Sequence, residues 1–478
     1  MRVLLVRPGS HHVHRLQGGL REHDRPLPSW FSESEVELGL LYIASYLERA
    51  GHEVSLLDLQ LSRQTDKSYR DHLSRGSWNV VGITAGTGYI DEAQRIVELA
   101  KAEGALTVMG GHHPSALPQE TLEACPEIDY IIHGEGELPM TELLDALENG
   151  RPVENIFNLG FRTHGTVRVN PARPPIVDLD DMLFPAWHLV DLKKYRPAMN
   201  NYCIRPHANV LASRGCPYSC IFCSRTGSRH SRKYYSRSAE NIVEELRYLE
   251  SEYGVRDIFF VDDTFTYDRD RLRRVCELLI KKKKRTYWSC YACPDEVTEE
   301  SLRLMKRAGC FHIKYGFEVG TERMIKAYGK SASLQQCVEA VRLTKKAGIE
   351  VFGGFIFGYP GETVEEMRQT LRFALMLSPD VAVFQSLVPF PGSSLFTYYD
   401  KRGELLSRDW SRYLDTAHRV LPDQTLYGEH LKQFIRNAFV KFYFRPRFIV
   451  QKIRRLFIGH PVREIRNVII GLVELLSS

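Results

Sequence analysis

Short apolar runs recur through the first third of the chain, with longer amphipathic stretches between them. MRVLLV (1–6), EVSLLD (53–58), NVVGIT (79–84), LTVMGG (106–111) and DYIIHGEGE (129–137) alternate with helical patterns such as Leu38 to Ala50 and Asp91 to Glu103. That alternation predicts an α/β unit with a doubly wound, Rossmann-like parallel sheet carrying helices on both faces. Two glycine turns, at Gly110 and Gly111 and at Gly134 and Gly136, follow strand ends, where such sheets bind ligands. From about Arg151 to Tyr195 the periodicity fades and Pro171, Pro174, Pro175 and Pro185 accumulate, which predicts a linker with little helix or strand.

A second alternation begins at ANVLAS (208–213). It continues through DIFFVDD, TYWSCYA, HIKYGFE, EVFGGFIFG and VAVFQSLVP, with helical stretches at Ser238 to Glu252, Thr298 to Ala308, Leu334 to Ala347 and Thr363 to Met376. Six parallel strands with outer helices make a partial (β/α)6 barrel, with chemistry at the carboxyl ends of the strands. From about Leu414 the chain reads as helical and basic. The expected division is therefore 1–145, a linker at 146–200, a barrel at 201–413 and a helical carboxyl-terminal segment at 414–478.

Composition narrows the class. With 478 residues the chain suits two or three domains; 43% hydrophobic and 26% charged residues are usual for a soluble globular protein. A formal charge of +5 is small for this length and does not by itself argue for nucleic acid. Arg2 leads straight into VLLV without a signal-peptide pattern, and apolar runs such as VIIGLVELL fall short of the roughly 18 residues a spanning helix needs. The expected location is cytoplasmic, where ten cysteines serve as ligands or core residues sooner than as disulfides.

Three of those cysteines stand in SRGCPYSCIFCSR (213–225), where Cys216, Cys220 and Cys223 have C-x3-C-x2-C spacing. A structural zinc site takes four ligands, so three would leave it incomplete. An iron–sulfur cubane held by three thiolates instead keeps one iron open for a substrate or cofactor. Unconnected core cysteines would fall into this spacing in roughly one such chain in two hundred.

RGCPYSCIFC followed by six strand patterns resembles the radical S-adenosylmethionine (SAM) superfamily over about residues 205 to 400. The resemblance implies a 4Fe-4S cluster on Cys216, Cys220 and Cys223, whose open iron chelates SAM and whose reduction yields a 5'-deoxyadenosyl radical. It places Phe222 near the adenine. IFFVDDTFT, YGFEVGTERMIKAYGK and GGFIFGYPGET look like the superfamily's second, fourth and fifth strands. Glu318 is then a candidate SAM contact, although Gly-Phe-Glu-Val stands where the family has Gly-Ile-Glu-Ser; a barrel-interior salt bridge is the other reading of Glu318.

The first 145 residues, through ELGLLYIASYLERAGHEVSLLD, VGIT, VMGGHHPSALPQE and DYIIHGEGE, are similar to the cobalamin-binding domain of one large radical SAM branch. The resemblance implies that the nucleotide tail of cobalamin enters near Thr84, Gly110 and Gly111, with Gly134, Glu135 and Gly136 as the neighbouring loop. Glycines let the backbone approach a bulky ligand there. The Asp-x-His-x-x-Gly signature of many cobalamin domains is absent, and His11, His12 and His14 lack its spacing, so cobalt is expected to have no protein histidine. His112 and His113, beside Gly111, read as loop residues more than as ligands. A degenerate sheet without cofactor is the bland alternative for this half.

Other features carry less. Cys290 and Cys293 form a C-x2-C that closes no site and reads as structural. KKKKR (281–285) ends a helix and reads as a solvated terminus. SRTGSRHSRKYYSR (224–237) is basic and aromatic, and reads as a solvated loop. FVKFYFRPRFIVQKIRRLF (439–457) permits a peripheral membrane contact but reads first as a helix packed on the barrel.

With both cofactors bound, the resemblance implies a C-methyltransferase acting on an unactivated carbon of a natural-product or lipid precursor. A small-molecule or lipid substrate and a low-potential electron donor are its implied partners. A non-methylating rearrangement, ring contraction or cyclisation uses the same cofactors. A methylthiotransferase would carry an amino-terminal cysteine triad, whereas only Cys125 precedes the linker. A cobalamin sensor without turnover would not need the open cluster.

Overall fold

The computed structural model describes residues 1–9, 34–61, 66–197, 202–224, 233–282, 284–413, 420–446 and 448–450. Its first sheet begins with β1 (Arg2–Arg7), β2 (Glu53–Asp58), β3 (Val80–Thr84), β4 (Leu106–Gly110) and β5 (Tyr130–Ile132), which run parallel in the order β2-β1-β3-β4-β5. Alternation along β1 decides which helices it meets. Val3 and Leu5 face the helices Leu38–Arg49 and Glu137–Glu148 through Leu40, Ala44, Leu47, Met140 and Leu143. Leu4 and Val6 face the helix Ile90–Ala102 through Ile90, Ala93, Ile96 and Val97. Both faces of the sheet are covered, as expected of a doubly wound unit.

The segment 151–195 differs from its expectation. It contains β6 (Leu159–Thr163) and β7 (Thr166–Val169), an antiparallel hairpin that pairs with β5 and extends the sheet to seven strands. The two-residue turn between them has His164 at φ 49° and Gly165 at φ 77°. That backbone suits the twist of a hairpin and needs a residue tolerant of positive φ. Prolines flank the hairpin rather than interrupting it, and they masked its short alternation. His112 and His113 likewise open a short helix, His112–Ala116, instead of lying in a loop.

The second sheet comprises β8 (His207–Val210), β11 (Asp257–Phe260), β12 (Tyr287–Ala292), β13 (Cys310–Glu318), β14 (Glu350–Phe357) and β15 (Val381–Ser386). All are parallel, in sequential order from β8 to β15. A small ribbon of β9 (Ser213–Arg214) and β10 (Tyr235–Ser236) stands beside it. Five helices of this half start at Ser238, Asp268, Thr298, Ser333 and Thr363, and each of these side chains accepts a backbone N–H three residues on. Such caps satisfy amide groups that the first turn leaves unpaired. The outer strand faces bury Ile258, Phe260, Trp288, Ile313 and Val351 in one core with those helices, and Phe384 packs on Phe439 and Phe442 of the helix Gly428–Tyr443.

The helix Gly428–Tyr443 covers the β15 edge of the sheet. The Tyr443 hydroxyl donates to Ala382 O at 2.8 Å and accepts from Ala382 N at 3.0 Å. In the described part of the aromatic and basic tail, Phe439, Phe442, Tyr443 and Phe448 are in the core. Residues 451–457 of that stretch lie outside the described residues, as do 225–232 of the basic loop and His11, His12 and His14. No helix among the described residues is long and apolar enough to cross a membrane.

Candidate functional site

The three spaced cysteines occupy a loop at the carboxyl end of the second sheet. Asp262, past the end of β11, anchors its stem by accepting from Ala212 N at 3.2 Å and from the Ser213 hydroxyl. Gly215 follows, then Cys216, Cys220 and Cys223 at intermediate burial and without disulfides. Cys223 N donates to Cys220 O at 3.3 Å, which curls the end of the loop. Ile221 N donates to Tyr328 O at 3.1 Å, Leu395 N to Ile221 O at 2.9 Å, and the Ser224 hydroxyl to Pro391 O at 2.7 Å. Segments following β13 and β15 therefore hold the loop. Phe222 lies edge-on to Tyr328, with ring centroids 5.2 Å apart.

Burial, and after it the nearby charges of Asp263, Cys223 and Cys220, outweigh a hydrogen bond from the Tyr218 backbone and leave the Cys216 thiol pushed up to about 11. Three crowded thiols of this kind fit a group of positive metal centres, which would offset their mutual repulsion. Among the described residues, no three His, Cys, Asp or Glu side chains converge on one ion. A cubane gives each thiolate its own iron, so the donor set fits a cluster better than a mononuclear site.

Glu318 closes β13 with φ 63°, a left-handed backbone for a non-glycine residue, at a register shift against β14. Its carboxylate turns back over Gly316, where any Cβ would overlap it, and lies 3.5 Å from Lys330 Nζ. Burial raises the Glu318 carboxyl against the opposing pull of Lys330. Lys330 also feels Cys220 and Cys293, so this ammonium stands within electrostatic reach of the thiol loop. Gly329 makes the approach possible, because a Cβ there would sit 3.1 Å from Ser219 O.

The glycine loops of the first sheet come together at the carboxyl ends of β3, β4 and β5. Thr84 pairs with Gly110 in register, and Ala85 N donates to Gly110 O at 2.8 Å. Gly111 has φ 101°, and a Cβ there would lie 2.7 Å from Ala85 N and O and 2.8 Å from Thr84 Oγ1. Only glycine lets these two loops close on each other. Gly134 N donates to Ser115 Oγ at 2.8 Å, and Gly136 lies so close to Ile43 that a Cβ would approach it to 2.8 Å. The result is a set of loops at one sheet edge packed backbone against backbone, with glycines where no side chain would fit. His113 is 2% exposed, bonded to Thr87 Oγ1 at 3.3 Å and set edge-on to Trp410 at 4.9 Å between centroids.

The loops of the two sheets touch. Arg214, two residues before Cys216, has Nη1 3.4 Å from Glu135 Oε1, and Nη2 donates to Glu137 Oε1. Of the other predicted positions, Cys290 is fully buried in the core beside the free thiol of Cys310, a structural role. Cys293 N donates to Glu296 Oε2 at 3.1 Å beside the thiol loop. Lys282 and Lys284 of the basic run meet Glu250 at 2.9 and 3.8 Å. Arg214 and Lys330 were both inside quoted motifs, but one-dimensional spacing carries no sign of burial or partner.

A model of the radical SAM superfamily matches residues 210–374, and a model of the B12 binding domain matches residues 33–144. The uncharacterized methyltransferase PH0819 of Pyrococcus horikoshii is 33% identical over 418 residues, covering 87% of this chain and 89% of that protein. The chain belongs to the cobalamin-binding radical SAM family. This radical SAM enzyme is also 28% identical to the anaerobic magnesium-protoporphyrin IX monomethyl ester cyclase of Rubrivivax gelatinosus, over 94% of the chain and 78% of the cyclase. Its fold matches that of the radical SAM methyltransferase TsrM of Kitasatospora setae, solved with cobalamin and a 4Fe-4S cluster. The TM-score is 0.67 at 21% identity, over 85% of this chain and 75% of that one.

Proposed function

We propose that this radical SAM enzyme is a cobalamin-dependent C-methyltransferase acting on an unactivated carbon of a natural-product or lipid precursor. The observation that carries the reading is the contact between the thiol loop of the second sheet and the glycine loops of the first, through Arg214. Ligands seated on these loops would be neighbours. Cys216, Cys220 and Cys223 would hold the cluster, Phe222 and Glu318 would contact SAM, and Thr84, Gly110, Gly111, Gly134, Glu135 and Gly136 would line the cobalamin site. We further place divisions of the chain near residues 145, 200 and 413, with the β6–β7 hairpin joined to the first sheet.

When bound, the cofactors would supply a 5'-deoxyadenosyl radical and a transferable methyl group. The chain's own part is to position and to exclude water. The Phe222 and Tyr328 rings give an apolar wall beside the thiols. The Glu318–Lys330 pair presents one acceptor and one donor group, complementary to the amino and carboxylate ends of an amino acid. The glycine loops offer backbone groups without side-chain bulk.

The test is an anaerobic reaction of the reconstituted protein with cobalamin, SAM, a low-potential reductant and candidate substrates. The expected outcome is formation of both 5'-deoxyadenosine and S-adenosylhomocysteine, the second only when cobalamin is present. The cyclase of Rubrivivax gelatinosus supports a second reading, a non-methylating cyclisation or rearrangement. Deoxyadenosine without S-adenosylhomocysteine would favour that reading and sink methyl transfer.

A further inference from the structure

One guanidinium and two carboxylates meet between the loops of the two sheets, Glu137 buried, Arg214 and Glu135 partly so. Arg214 is the last residue of β9; Glu135 and Glu137 flank Gly136 in the loop after β5. Besides its two carboxylate contacts, the Arg214 guanidinium lies 5.6 Å over the ring of Tyr42, on the helix Leu38–Arg49. The Arg214 and Glu137 side chains are 10% and 5% exposed, so water screens them little. Glu137 is also the first residue of its helix, whose amino-terminal dipole favours a carboxylate there.

A buried ion pair adds little net stability over apolar residues of the same volume, whereas loss of one partner is costly. Its physical use is to fix register: a planar fork and two carboxylates are satisfied by few relative placements of the loops. The thiol loop brings its cysteines and the other loop its glycines, and Glu135 belongs both to that second loop and to the contact with Arg214.

We propose that Arg214 is a positioning residue that couples the cluster loop to the cobalamin loop, so that filling one site orders the other. The proposal rests on the reading that both cofactors bind. Coupling of this kind is reciprocal and measurable as a change in the affinity of one ligand caused by the other.

The experiment titrates hydroxocobalamin by absorbance into full-length protein, with and without a reconstituted cluster. It uses the wild type, Arg214→Gln, Arg214→Lys, Glu137→Gln and the double variant Arg214→Gln/Glu137→Gln. In the wild type, cluster loading tightens hydroxocobalamin binding roughly tenfold. That ratio falls toward one in Arg214→Gln and in Glu137→Gln, the double variant loses nothing further, and Arg214→Lys keeps part of it. A merely structural role for Arg214 would weaken binding equally in both states and leave the ratio intact, which overturns the proposal. A ratio of one in the wild type also overturns it. If the wild type carries a full cluster yet takes up no hydroxocobalamin in either state, the two-cofactor reading itself fails. Should Arg214→Gln alone not fold, the double variant, which removes the guanidinium and the Glu137 carboxylate together and leaves only that of Glu135, carries the same comparison.

Discussion

His113 is an imidazole held away from water between Thr87 and Trp410, and burial lowers it to about 4. A histidine depressed in this way binds its proton more readily in the unfolded chain. Its contribution is therefore full above the usual value near 6.5 and is lost as pH falls toward 4. Between pH 7 and pH 5 the loss is about 2 kcal/mol. His113→Gln removes the titration while keeping a hydrogen-bonding side chain. The difference in unfolding free energy between wild type and variant should shrink by about that amount on acidification, measured by denaturant titration of cofactor-free protein; a constant difference would refute it. At this scale the sequence already places Cys216, Cys220 and Cys223 on one short loop, because they are neighbours in the chain. It was least legible at His113, Arg214 and Lys330, whose properties come from neighbours that are distant along the chain.

Strands and helices were legible wherever apolar periodicity was long. The six strands of the second sheet and their capped helices stand where the pattern placed them. The β6–β7 hairpin escaped because its strands have five and four residues and its turn signal, His164-Gly165, sits among prolines. Arg162 fastens that hairpin to the sheet: its guanidinium donates to the carbonyls of Leu122, Cys125, Pro126 and Ile128. These carbonyls belong to the segment leading into β5, so one side chain ties the hairpin to the cobalamin half. Arg162→Met leaves four acceptors without this donor and should cost about 2 kcal/mol. Protease digestion is expected to begin within 159–169 in that variant. Cleavage no faster than in the wild type would count against this role.

The molecule as a whole places the carboxyl ends of two sheets against each other, and this arrangement could not be read from either half alone. Alternation predicts each sheet, but the contact depends on a few charged residues whose partners lie some 80 positions away, as Arg214 and Glu137 do. The motifs stand in the sequence, whereas the joint between them needed the folded chain.

The β15 edge is finished in an unusual way. One phenolic hydroxyl on the helix Gly428–Tyr443 answers both the N–H and the C=O of Ala382, as a neighbouring strand would. An edge whose donor and acceptor are already taken is a poor template for a strand from another molecule. Tyr443→Phe reopens both groups at the cost of one oxygen atom. Light scattering on gentle warming should then show concentration-dependent self-association that the wild type lacks, and equal scattering would show that the edge is guarded by other means. Tyr443 thus bears on how densely the protein can be stored or expressed, a matter separate from anything the cofactor loops do.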